Sequence, residues 1–197
     1  MEPAIGLLEL ASIAAGIRAG DAMVKRAPID VIFAGTVHPG KYLVLVGGAV
    51  ASVEEAMVAG EESAGACLDR LFLPDAHRDV VAALRGGRAT GSPGEAIGIV
   101  ETRTVASIVG AADRGVKGAA VTLRDLHLAD ELGGKAYCLF QGPLADVEAA
   151  VEIAVGGLAR PELLVEQVII PQIHGEMLSN LDAAPTFLRR VRSERGR

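Results

Sequence analysis

The sequence predicts a duplicated α+β protein: two tandem copies of a small domain, each a four-stranded, mainly antiparallel sheet with helices on one face. Three observations predict it. First, residues 4–48 return as residues 96–142. Ala4-Ile5-Gly6 recurs as Ala96-Ile97-Gly98, and Glu9, Asp21 and Lys25 recur as Glu101, Asp113 and Lys117, all 92 positions on. After a two-residue insertion, Gly40-Lys41 and Gly48 recur as Gly134-Lys135 and Gly142. A repeat of this length is a duplicated domain rather than a solenoid unit. Second, β-branched apolar runs alternate with apolar residues at helical spacing in the same order in both copies. Third, Pro39-Gly40 and Gly47-Gly48 punctuate the strands where a hairpin needs a turn.

Residues 5–10 read as a buried strand, and Ser12 is placed to cap the helix that follows. Ile13, Ile17 and Val24 carry that helix's apolar spacing. Asp21 and Lys25 stand four apart on one helical face, and Pro28 ends the helix. Residues 29–37 and 42–46 form a hairpin around His38-Pro39-Gly40-Lys41. Residues 50–66 form a second helix, with Val53, Met57 and Ala64 inward and Glu54, Glu55, Glu61 and Glu62 outward. Residues 68–73 form a fourth strand, and Pro74-Asp75-Ala76-His77 opens a short helix. The second copy repeats this order: strand 97–102, helix 105–117, hairpin 121–128 and 136–141, helix 145–155, strand 163–170, and a last short helix after Pro171-Gln172-Ile173-His174. The predicted division is a first domain over 1–87, a Gly/Ser/Pro-rich linker over 88–95, a second domain over 96–181 and a locally basic, solvated tail over 182–197.

The 197 residues include 50% hydrophobic but only 3% aromatic residues, with no Trp, so the cores are built from Ala, Val, Leu and Ile. A net charge of −6 argues against a general nucleic-acid partner. No apolar run reaches the roughly 18 residues a membrane span needs. Met1-Glu2-Pro3 is acidic and leads straight into a strand, so no leader is expected and the expected location is the cytosol. Cys67 and Cys138 lack CxxC spacing and read as buried free thiols. No nucleophile–base or acid–base set stands out, so an enzyme is not expected.

The runs Gly6 to Glu9, Asp21-Ala22-Met23-Val24-Lys25, Pro39-Gly40-Lys41 with Gly47-Gly48, and Pro74-x-x-His77 resemble the shell-protein domain of bacterial microcompartments. The second copy repeats them as Gly98 to Glu101, Ala112-Asp113 with Val116-Lys117, Gly133-Gly134-Lys135 with Gly142, and Pro171-x-x-His174. Because each half begins at its first strand, the arrangement is similar to the non-permuted tandem shell proteins, of the kind found in propanediol-utilisation shells. The resemblance implies a ferredoxin-like shell domain in two copies and a homotrimer forming a flat pseudohexamer. Such a tile passes small molecules through a central pore, packs with other shell proteins and faces encapsulated enzymes, without nucleic-acid or membrane partners. It implies a place in a microcompartment shell within the cytoplasm.

In that frame His38, Pro39 and Gly40 line the pore, together with Asp130, Glu131, Leu132, Gly133 and Gly134 from the second hairpin. Asp130 and Glu131 read equally well as solvated turn residues. Three copies of His38 would meet at the axis as a plain polar lining, as a ring of pH-dependent charge, or as a site for a zinc, copper or nickel ion. The last reading gives the alternative function of a metal- or electron-transfer conduit. An iron–sulfur cluster is not expected, because such clusters use thiolates and neither Cys67 nor Cys138 falls in a pore loop. No other cofactor is expected. Lys25 and Lys117 match the lysine that packs against a neighbouring tile. Where many relatives carry a corner arginine, this sequence has Asp75 and Gln172. His77 and His174 are expected to hydrogen-bond at helix starts, and Glu9 and Glu101 within their own domains. A duplicated small-molecule sensor is the remaining rival.

Overall fold

The computed structural model describes residues 4–89 and 95–183. The first half runs β1 (Ala4–Leu10), α1 (Ile13–Arg26), β2 (Val31–Val37), β3 (Lys41–Gly48), α2 (Val50–Ala64), β4 (Asp69–Leu73) and α3 (Arg78–Leu84). The second runs β5 (Ala96–Thr102), α4 (Val105–Gly118), β6 (Thr122–Leu128), β7 (Ala136–Gly142), α5 (Leu144–Gly156), β8 (Leu164–Ile170) and α6 (Gly175–Asp182). The sheets have orders β2-β3-β1-β4 and β6-β7-β5-β8, with every neighbouring pair antiparallel. This is the predicted α+β pair.

The recurring Ala-Ile-Gly has a packing reason. A Cβ on Gly6 would lie 2.6 Å from Met57 Sδ, and one on Gly98 would lie 2.6 Å from Val151 Cγ2. Glycine at these points lets α2 and α5 lie directly on the central strands. Ser12 caps α1 as expected, its Oγ accepting from the Ala15 amide at 3.2 Å.

The short helices behave differently from the long ones. The long helices cover one face of each sheet, whereas α6 covers the other face of the second sheet, where Ile97 and Leu139 meet Ile173 and Leu178. The first short helix, α3, reaches into the second half and packs near β6 and α4. Its Val80 is fully buried in the same apolar cluster as Leu7 of β1 and Val105, Ile108 and Val109 of α4. One apolar cluster thus spans the two halves, while the first half keeps a separate core around Leu8, Met23 and Val46. Helix α6 extends to Asp182. Linker residues 90–94 and tail residues 184–197 lie outside the described residues.

Candidate functional site

The two hairpin tips lie side by side. β2 and β3 are joined by His38, Pro39 and Gly40, all exposed, with a cis peptide bond between His38 and Pro39. β6 and β7 are joined by a longer loop, residues 129–135, in which Ala129, Glu131, Gly133 and Gly134 all have positive φ. The Ala129 amide donates to the Lys135 carbonyl at 3.1 Å and closes the loop. Asp130, Glu131 and Gly133 are exposed, Leu132 is half-buried and Gly134 is buried. A Cβ on Gly134 would lie 2.9 Å from Pro39 Cδ, so the second tip rests directly on the first. The structure therefore gathers the expected pore residues of both halves at one end of the molecule.

Behind the tips sits a buried ionic contact. Lys41 Nζ donates to Glu9 Oε1 at 2.6 Å, to the Arg103 carbonyl at 3.1 Å and to the Gly134 carbonyl at 3.2 Å. The other oxygen, Glu9 Oε2, accepts from the Val105 amide at 2.7 Å. That amide opens α4, where unpaired N–H groups and the helix dipole favour an anion. Glu9 was expected to bond only within its own domain; instead it caps a helix of the other one. Thr104, the residue at the cap position, directs its hydroxyl away to Asp69 Oδ2 at 2.5 Å, and Ser107 joins it at 2.6 Å. Burial raises the Glu9 pKa, and Lys41 and the helix amides offset this only in part.

The matched residue Glu101 pairs with Lys135 at 2.5 Å within its own half, as expected. Lys117 is also engaged at the junction of the halves. Its amine pairs with Asp113 at 2.7 Å and meets the Asp75 carbonyl, while Asp113 Oδ1 accepts from the His77 amide at 2.7 Å. Lys25 pairs with Asp21 at 2.6 Å, both of them exposed. His77 and His174 accept from the Asp79 and Glu176 amides at their helix starts. His127, unassigned from sequence, stacks on Tyr137 with ring centroids 5.3 Å apart. Cys138 is buried in the second half and Cys67 sits between α2 and β4, so neither thiol is at a hairpin tip. Burial pushes both thiols up.

Sequence reasoning missed Asp69, Arg160 and the role of Lys41 in this junction. Arg160 donates to the Leu68 carbonyl at 2.6 Å, across 92 residues of chain. The only signal available was the recurrence of Glu9 as Glu101 and of Lys41 as Lys135.

Two chain segments, residues 4–76 and 96–173, match the model of the BMC domain. The chain belongs to the bacterial microcompartment shell proteins. It carries the BMC domain twice, in tandem. The shell protein PduT of Citrobacter freundii is 43% identical over 178 residues, spanning 90% of this chain and 96% of PduT. The carboxysome assembly protein CcmO of a Synechocystis strain is 26% identical, spanning 95% of this chain and 67% of CcmO. Among solved structures, a microcompartment protein from Desulfitobacterium hafniense superimposes with a TM-score of 0.78 at 37% identity, covering 90% of this chain and 98% of that one. A fused permuted hexameric shell protein of the RMM microcompartment shares the fold, with a TM-score of 0.58 at 18% identity, over 77% of this BMC chain and 81% of its own.

The Glu9–Lys41 pair sets an expectation for stability. Lys41→Met should destabilise the chain by about 3–5 kcal/mol at neutral pH, because it strands a buried carboxylate. A carboxyl whose folded pKa lies above the unfolded value of 4.5 favours folding below that value and loses this as pH rises. The cost of Lys41→Met should therefore shrink toward pH 4.5. Glu9→Gln in the same chain should recover most of it. Urea unfolding at fixed protein concentration, across pH, measures each term.

Proposed function

We propose that this chain is a structural tile of a microcompartment shell, closing with two further copies into a ring of six BMC domains around a central pore. The observation that carries the reading is a mismatch between matched helix faces. On α4, Val105, Val109 and Val116 are 1%, 0% and 8% exposed, because the first half covers them. Their counterparts on α1, Ile13, Ile17 and Val24, are 42%, 57% and 44% exposed. Helix α3 shows the same contrast, with Val80 buried and its counterpart Met177 on α6 52% exposed. A chain that buries one copy of an interface and leaves the other copy open is completed by repeating the same contact with the next chain. Glu101 then approaches the start of the next chain's α1, as Glu9 does for α4.

In this ring the hairpin tips of all the domains surround the axis, with short tips at His38 alternating with long tips at residues 129–135. The pore is a polar passage for small molecules, and the tile has a structural rather than catalytic role. Lys25 and Lys117 mark the outer rim, where tiles meet. Three copies of His38 form a polar collar; a metal held by them, with electron transfer through it, is the alternative.

Light scattering should give three times the 20.3 kDa chain mass. Ile17→Asp should reduce this to a folded single chain, with circular dichroism unchanged; a wild-type monomer would overturn the ring. Lys25→Asp should leave the three-chain mass intact and abolish sheets or tubes in electron micrographs, and unchanged sheets would remove Lys25 from the rim. For the collar, titration with zinc or nickel followed by elemental analysis should show less than one metal per three chains. Stoichiometric metal that disappears in His38→Ala would establish the conduit instead.

A further inference from the structure

The two edge strands that begin the hairpins, β2 and β6, are treated differently within the chain. β6 is covered by the segment that leaves α3: the Ala89 amide donates to the Arg124 carbonyl at 3.3 Å. Arg88 forks onto Asp125, with Nε 3.0 Å from Oδ1 and Nη2 on Oδ2. β2 has no such cover among the described residues. Instead it borders a cavity of about 420 Å³ whose walls include Val31, Phe33, Leu43, Leu45, Leu84 and Leu128. Phe33 is 62% exposed there.

The duplication identifies the missing cover. Phe33 pairs with Leu45 across its hairpin and Asp125 with Leu139, so Phe33 occupies the place of Asp125. The α3 and α6 turns correspond at His77 and His174, 97 residues apart, so in the repeat residues 185 and 186 are the counterparts of Arg88 and Ala89. The chemistry of each segment matches its own target. Arg88 meets a carboxylate, whereas Pro185, Thr186, Phe187 and Leu188 would meet an apolar cavity. The five residues that follow Ala183, through Leu188, reach about 17 Å when extended, and a reach of four residues from Arg85 already delivers Ala89 to β6.

We propose that residues 184–188 of one chain lie along β2 of the neighbouring chain and fill the cavity beside Phe33, with Phe187 or Leu188 as the anchor. This rests on the ring proposed above, and it makes the tail part of the seam between chains rather than a solvated appendage. Burying one such side chain favours the seam through the apolar area it removes from water, and extended backbone beside an edge strand pairs its free N–H and C=O groups.

The test places the photocrosslinker p-benzoyl-phenylalanine at position 33 of the full chain and, reciprocally, at position 187. Irradiation is followed by denaturing electrophoresis and peptide mass mapping, with light scattering on the same sample. The expected result is a three-chain mass, covalent two-chain products, and an adduct between position 33 and the peptide containing Phe187 and Leu188. Deleting residues 184–197 should remove that adduct. Three-chain particles that crosslink elsewhere, or not at all, overturn the tail assignment and leave the ring standing. An adduct confined to single chains shows the tail folding back on its own β2 and overturns the exchange between chains. A sample that scatters as monomer overturns the ring and the exchange together.

Discussion

The Glu9 carboxylate holds the two halves in one arrangement. It is fully buried, and an unpaired charge there would be expensive. Its two oxygens are answered from two directions, by Lys41 of its own half and by the start of α4 in the other. Lys41 in turn ties down the Arg103 and Gly134 carbonyls, and Gly134 rests on Pro39. Moving one half against the other would expose the carboxylate to an apolar wall or strip the amine of its partners. The shared apolar cluster around Leu7, Val80 and Val109 supplies adhesion without direction; the carboxylate supplies register.

The duplication has kept this device in both halves while letting their surroundings diverge. Glu101 and Lys135 retain the pairing, but among the described residues Glu101 meets no helix start. The hairpin tips have diverged in length, and the edge strands have diverged in character, one carrying Phe33 and the other Asp125. In β6 the extra residue Arg124 interrupts the register, and its guanidinium reaches both Gln141 and Asp182. Six identical copies could not differ at alternate seams. A fused pair can, and the structure shows the differences collected at tips and edges while the sheet cores stay matched.

Much of the fold was legible because it depends on local pattern. Apolar spacing located α1, α2, α4 and α5 to within a residue or two, and Pro-Gly and Gly-Gly marked the first hairpin. The candidate pore residues were assigned from family position, and the contact between the two hairpin tips follows from how the halves dock. What was not legible depends on sequence-distant pairing. Glu9 and Val105 are 96 residues apart, and nothing in either local pattern announces the contact. The placement of α3 over the second half, and of α6 on the opposite sheet face from α5, follows from how the halves dock, since helices this short have too little periodicity to declare a buried face. The bond of Lys117 to the Asp75 carbonyl was not legible, because a backbone group carries no sequence signal.

One consequence follows from the seam that lies inside the chain. Both sides of that seam are tethered by the linker, so they meet at a high effective concentration, in the millimolar range for short flexible connections. In the proposed ring this makes half of the seams independent of how much protein is present. Dilution then acts only on the other half, and ring formation scales with the third power of chain concentration rather than the sixth. A fused tile can complete its ring at protein levels where a tile built from separate single domains would still be in pieces.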